Sequence, residues 1–344
     1  MIFLKSPLRI QDEIEFGHSY SIKADGLYDL PVVFNGPRNQ GLDNFAHQVL
    51  QDKNLGNFRI DGKGRSVNSL NSFGNLEVSP PVFLKNRNEN YPFGRIIFGG
   101  EQFANNSAKR KIIKEVKGFL YAQKVQAPIE IFTEWLRVGH VDEIISFVPA
   151  DNDIKFKMLI ASPDRAITIL EEYYKTHKNS VLFHGKMMPA GIPEEFQNFD
   201  IKGLLGNKKF RRQNEIYQGY INHNQNILER ELGISDQEII KIPVLYYKHI
   251  RRDRALAYFP NMVNHLVLNQ CSFIPKPHGP KNAEGECIFE EAFRKALPNR
   301  VCEFIDDWHP YFLNQGGIHC GTNVLREPFK EKWWEYKPPN THDI

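Results

Sequence analysis

Short β-like runs and amphipathic helical stretches alternate from one end of the 344-residue chain to the other. That alternation constrains the fold more than any other feature, because strands and helices in turn favour an α/β class over segregated α+β. Extended runs rich in Val, Ile and Phe fall at 30–34, 94–98, 129–132, 156–160, 180–183 and 301–305. Between them, 108–124 is the clearest amphipathic helix, and 165–177, 210–232 and 290–296 follow the same period. Turn chemistry punctuates the pattern at Ser79-Pro80-Pro81, at 275–280 and at Gly316-Gly317. No low-complexity stretch divides the chain, so a single domain over residues 1–344 is expected, and no repeat of fixed period is visible.

Lys and Arg total 44 against 41 Asp and Glu, and the net charge of +3 is too small to imply a polyanionic partner. Two basic runs, Lys208-Lys209-Phe210-Arg211-Arg212 and Arg251-Arg252-Asp253-Arg254, read as solvated faces, so no nucleic-acid partner is expected. No apolar run is long enough to span a membrane, and the opening Met1-Ile2-Phe3-Leu4-Lys5 lacks the apolar core of a signal peptide. Cys271, Cys287, Cys302 and Cys320 show no CxxC pairing, which favours free thiols over a zinc knuckle or a disulfide scaffold. The cytoplasm is the favoured compartment on these grounds.

Chemistry concentrates in Gly316-Gly317-Ile318-His319-Cys320-Gly321-Thr322-Asn323. A cysteine taken at random is more often buried and structural than reactive. Glycines around Cys320 let backbone and substrate approach closely, which favours a nucleophile there, whereas Cys271, Cys287 and Cys302 sit beside aliphatic or aromatic residues. A thiol nucleophile needs a histidine, and Val138-Gly139-His140-Val141-Asp142-Glu143 leads into a β-like run. On a strand, His140 and Asp142 would project from one face. Such a pair is commonly an ordinary core or surface pair, and a zinc site built from scattered residues such as His18 and His47 has no standard spacing. In Gln11-Asp12-Glu13-Ile14-Glu15, an extended chain would put Asp12 and Ile14 on one side and Gln11, Glu13 and Glu15 on the other. Such a face is either a solvated acidic edge or a hard-cation site, which takes about six to eight oxygens.

Taken together, these residues resemble the catalytic domain of the calcium-dependent protein-arginine deiminases. The matching stretches are 10–13, 30–39 with Pro37-Arg38-Asn39, 72–81, 138–150, 259–264, 319–324 and Lys332-Trp333-Trp334, in the family's order over nearly the whole chain. The resemblance implies a pentein fold, a five-module α/β propeller, and the hydrolysis of arginine side chains in proteins or peptides to citrulline and ammonia. It gives the nucleophile as Cys320, the catalytic histidine as His140, and the guanidinium-binding carboxylates as Asp12 and Asp142, with Arg38 shaping the substrate cleft. It also implies calcium (Ca2+) as cofactor. One ion would be held by Gln11, Glu15 and Glu77 with main-chain oxygens of Phe73 and Leu76, and a second, weaker one by Glu13, Asn35, Gly36 and Asn39.

The sequence departs from the family pattern at Asn35 and Gly36, where an acidic and a hydroxyl residue are usual, and at Arg9, Gln40 and Asn314, where substrate-gripping residues stand in mammalian members. Those changes spare the chemistry and alter the surroundings of the substrate. The immunoglobulin-like domains of vertebrate members are not expected in this chain; either a trimmed first module or a lost segment is expected, and a monomer is favoured without upstream domains. Two rival readings remain at this point: a pentein hydrolase acting on free arginine or another small guanidine, and a non-catalytic calcium-binding relative.

Overall fold

The computed structural model describes residues 13–24, 26–38, 45–50, 54–62, 67–100, 110–183, 185–197, 199–251 and 253–339. Among them, four small sheets repeat one plan. In the first, β1 (Ile14–Lys23) runs antiparallel to β2 (Gly26–Asn35), which pairs in parallel with β3 (Gly56–Arg59) after the short helix α1 (Phe45–Val49). The second has β4 (Leu76–Val78) antiparallel to β7 (Ile96–Gly100) and β7 parallel to β8 (Ile129–Phe132), with the hairpin β5 (Val82–Leu84) and β6 (Glu89–Tyr91) inserted and α2 (Lys114–Ala122) as crossover. The third joins β9 (Ile145–Pro149), β10 (Phe156–Ser162) and β11 (Ile239–Pro243) in the same senses, with α3 (Pro163–Tyr174), α4 (Ile201–Gly206) and α5 (Lys208–Leu232) in the crossover. After a two-stranded sheet of β12 (Tyr246–Lys248) and β13 (Ala255–Ala257), the plan returns in β14 (Leu266–Leu268), β15 (Cys271–Pro275), α6 (Ile288–Ala296) and β16 (Val301–Ile305). This ββαβ unit is the module that a pentein fold implies, and it is the repeat that the sequence conceals.

Two expected elements differ. Residues 180–183 form no strand: Val181 makes a single bridge to Asp200. The helix expected over 108–124 begins at Lys114, because the Ile113 N–H is taken by the Asn71 side chain at 2.7 Å and residues 110–113 run irregularly.

Long helix α5 ties the modules together through buried amides. Its N-cap Asn207 accepts the Phe210 N–H, and Gly233 ends it at φ 65°, a left-handed conformation that suits glycine. Midway, Asn224 bonds both the N–H and the carbonyl of Phe132 at 2.8 Å, at the end of β8. Asn214 does the same for Tyr246 at 2.9 Å, at the start of β12. Each amide replaces a strand partner that the backbone would otherwise lack in the core. Around them pack Tyr246, Tyr258, Phe210, Phe289, Phe293 and Trp308. The Tyr246 hydroxyl also donates to the Glu143 carbonyl, so this core reaches the turn that carries His140 and Asp142.

Candidate active site

Cys320 lies in the 3-10 turn His319–Gly321 and is 2% exposed. Its neighbouring glycines serve packing rather than access. A Cβ on Gly317 would fall 2.5 Å from Asn264 Oδ1, and one on Gly321 would fall 2.4 Å from the Tyr311 ring. The thiol donates to Asp142 Oδ2 at 3.4 Å, and Asn264 Nδ2 donates to Sγ at 3.3 Å. Elsewhere, burial pushes the Cys287 thiol, which accepts the Gly279 N–H at 3.2 Å, up to about 11, and raises that of Cys302 as well.

His140 and Asp142 do not project from one strand face, as an extended reading of 138–148 requires. They occupy a turn ahead of β9, in which Val141–Glu143 is a 3-10 helix. Glu143 causes the change, since its Oε1 accepts the N–H groups of both Gly139 and His140 at 2.9 Å. Gly139 turns into it at φ 85°, where a Cβ would meet Arg110 Nη2 and Leu70 at 2.9 Å. Fully buried His140 donates from Nε2 to the Ser69 carbonyl at 2.9 Å. A carbonyl only accepts, so Nε2 keeps its proton in both charge states and the exchangeable proton belongs to Nδ1.

Asn75 fixes this turn against the sheet. Its Nδ2 donates to the carbonyls of Leu70 and Gly99, and its Oδ1 accepts the N–H groups of Gly99 and Val141. Asn75→Ala would leave four buried backbone groups without a partner, and each costs about 1–3 kcal/mol. We therefore expect Asn75→Ala to lower the denaturant midpoint by an amount equivalent to about 3 kcal/mol or more, without change in the slope.

Asp142 is 1% exposed. Burial pushes its carboxyl up, but the His319 hydrogen bond and the charges of His319 and His140 outweigh that and hold it below the usual carboxylate range. Its Oδ1 has no hydrogen-bond partner among the described residues. His319 bridges Asp142 Oδ2 at 3.0 Å and Glu77 Oε1 at 3.2 Å. Burial opposes its charge, yet Glu77 first and Asp142 next push it up to about 9, so it is an imidazolium at neutral pH. Behind it, burial, aided by the Glu77 charge and opposed by Phe16 N–H, His319 and Arg326, raises Glu15 to about 7. Glu77 is likewise raised by burial and by Asp142, against His319 and Arg326.

These carboxylates belong to the expected first calcium set. Glu15 lies on β1 and Glu77 on β4, and β1 packs beside the 3-10 turn Phe73–Asn75 that leads into Leu76. Two half-buried carboxylates pushed toward protonation form a donor set that a hard cation would relieve. No group of three or more His, Cys, Asp and Glu poised for a metal occurs among the described residues. At the expected second set, Gly36 N–H donates to the Glu13 carbonyl at 2.7 Å, Ile14 pairs with Asn35, and Glu13 and Asn35 are buried. Of the face expected to carry Gln11, Glu13 and Glu15, the described residues are extended from Ile14 onward, and Glu13 precedes the strand. Gln11, Asp12, Asn39, Arg9 and Gln40 lie outside the described residues. Arg38 donates to Ser72 Oγ at 3.0 Å, next to Phe73. Asn314 turns to the His309 and Pro310 carbonyls at 3.4 Å.

Ser69, Asn75, Asn264 and His319 were not singled out from the sequence. His319 adjoins Cys320, and Asn75 and Asn264 lie in matching stretches, but only the packing shows what their side chains touch. The basic runs are matched by acids: Lys209 pairs with Glu195, Arg211 with Glu171, Arg212 with Glu215 and Arg254 with Glu134.

Residues 4–335 match the family model described as protein-arginine deiminase. The chain belongs to the protein-arginine deiminase family. It is 42% identical to human protein-arginine deiminase type-3 over 332 residues, which is 96% of this chain and 48% of that protein. Identity to human type-4 is 41% at the same coverage, and to human type-1 it is 39%, over 47% of that protein. The chain thus spans about half the length of the curated relatives it matches. Among solved structures, agmatine deiminase of C. jejuni aligns with 89% of this chain and 69% of its own at 12% identity and a TM-score of 0.41. No helix among the described residues is long and apolar enough to cross a membrane.

Proposed function

We propose that this chain hydrolyses the guanidinium of arginine residues in proteins or peptides, giving peptidyl-citrulline and ammonia, under calcium control. The observation that carries the reading is the Cys320 thiol 3.4 Å from a buried Asp142 carboxylate whose second oxygen has no partner among the described residues. Guanidinium is planar and permanently charged, and a buried carboxylate beside a nucleophile is where it would be held with its central carbon in reach. Asp12 is the proposed second carboxylate. Sγ of Cys320, as thiolate, adds to that carbon. The carbon–nitrogen bond to the terminal nitrogen then breaks, His140 delivers a proton to the departing ammonia, and a thiouronium remains on sulfur. His140, now neutral, takes a proton from water, whose oxygen adds to the same carbon; the carbon–sulfur bond then breaks to release the thiolate and citrulline, whose remaining hydroxyl proton passes to solvent.

Calcium held by Gln11, Glu15, Glu77 and the Phe73 and Leu76 carbonyls would neutralise the clustered carboxylates and fix the position of the neighbouring Asp12. Glu13, Asn35, Gly36 and Asn39 are the proposed weaker set, which lacks a carboxylate at position 35. Arg38, held at Ser72, is assigned to the cleft wall.

The test is citrulline yield from a blocked arginyl peptide against free arginine, with calcium present. The peptide is expected to turn over and free arginine to lag well behind; preference for free arginine would overturn the protein substrate while leaving the chemistry.

A further inference from the structure

Asn264 lies just after Phe259 to Val263, in the loop between β13 and β14, and is 3% exposed. Its side chain meets the Cys320 turn and the Asp142 turn at once. Oδ1 accepts the Cys320 N–H at 3.3 Å; Nδ2 donates to Cys320 Sγ at 3.3 Å and to the Asp142 carbonyl at 3.4 Å. Its own carbonyl accepts the His319 N–H at 3.2 Å. The amide's orientation is fixed by chemistry, because a backbone N–H only donates and so requires the oxygen, which turns the NH2 group to Sγ and the carbonyl. Gly317 closes over the same oxygen, where a Cβ would come within 2.5 Å. The loop beneath is tied down as well: Asn261 Nδ2 donates to the Glu143 carbonyl at 2.8 Å, and its Oδ1 accepts the Val263 N–H.

We propose that Asn264 is a catalytic residue, whose amide N–H holds Cys320 Sγ as thiolate while its oxygen fixes the backbone of the nucleophile. The inference rests on Cys320 being the nucleophile. A thiolate 3.4 Å from the Asp142 carboxylate is opposed by like charge. A donor aimed at sulfur favours the charged form. A neutral amide supplies that donor without competing with a cationic substrate for Asp142, as a lysine or arginine in its place would. The same side chain spans sulfur and the Asp142 backbone, so it also sets the spacing between nucleophile and guanidinium anchor.

Asn264→Ala removes both bonds to Cys320. Asn264→Asp has nearly the same shape, keeps the acceptor for the Cys320 N–H and replaces the donor at sulfur with a charged oxygen, so it separates the two roles. Both variants are compared with the calcium-loaded parent chain in steady-state deimination and in the pH profile of Cys320 alkylation by iodoacetamide, with melting temperature as a control for folding. Loss of one hydrogen bond to a charged acceptor corresponds to a fall of about 10–100-fold in kcat and a rise of about one to two pH units in the alkylation midpoint. Asn264→Asp should move that midpoint further up than Asn264→Ala. An alkylation profile identical to the parent's in both variants would overturn the proposal, even if kcat fell, because the effect would then be packing alone. A parent chain that makes no citrulline would instead sink the deimination reading, and the alkylation profile would still report the bond between Asn264 and Cys320.

Discussion

Asp142→Asn is expected to cut kcat/KM for an arginyl peptide by roughly a thousandfold, within the range of about 2–5 kcal/mol seen when one member of a buried charge pair is lost. The amide keeps the shape of the carboxylate but removes the charge that would anchor guanidinium, and one side of the group would present N–H to a cation. The effect should extend to His319. Its imidazolium is held up by Glu77 first and by Asp142 next, so losing the Asp142 charge should lower its pKa from about 9, and an NMR titration of the ring would read the change. Thermal stability should fall as well, because His319 and His140 outweigh desolvation at Asp142 and the substitution takes one carboxylate from the buried His319 imidazolium. Asp142→Asn with parental kcat/KM would remove Asp142 from the site.

Withdrawal of calcium is expected to take citrulline formation to background, and its effect on stability should depend on pH. Without metal, Glu15 has a pKa of about 7 in the folded chain against an ordinary 4.5. An acid whose folded pKa is raised contributes fully below its unfolded pKa, and that contribution is lost as pH rises through the folded one. His319, raised from 6.5 to about 9, contributes below its unfolded pKa and is lost through about 9, which extends the same trend. The metal-free chain should therefore lose stability, and with it melting temperature, as pH rises from about 5 to about 8, with up to about 3 kcal/mol of unfolding free energy from Glu15 alone. Calcium should restore it most at the upper end, where the carboxylates are charged. Glu15→Gln should flatten the fall, and Glu77→Gln should raise the calcium needed for half-maximal activity by about tenfold or more, since affinity follows ligand charge. Full activity in excess chelator, or a stability profile indifferent to calcium, would contradict this.

The alternation of elements was legible because runs such as 129–132 and 156–160 are apolar but for Glu130 and Lys157 and become central or parallel strands buried in the core. The repeated module was not legible, because the β5–β6 hairpin swells the second unit and α4 and α5 swell the third, which destroys any fixed period. At 180–183 a β-like composition yields one bridge, since among the described residues Val181 pairs with Asp200 and with no strand. Of the residues found by type, Cys320 and Asp142 lie 3.4 Å apart, and His140 stands in the same turn as Asp142. Their geometry could not be read from spacing: alternation put His140 and Asp142 on a strand, whereas the Glu143 carboxylate captures two N–H groups and coils the segment into a turn. Asn264 and His319 carry no signature of their own. An asparagine after an apolar run and a histidine before a cysteine acquire meaning only when residues 56 and 177 positions away close on them.

The central claim is that Cys320 attacks the guanidinium of a peptidyl arginine, and citrulline formation from a blocked arginyl peptide with calcium, in parent chain and in Cys320→Ser, tests it most directly. The account predicts steady formation by the parent and none above background in Cys320→Ser, with the melting temperature of the variant close to the parent's. Citrulline formation by Cys320→Ser at the parental rate would contradict it.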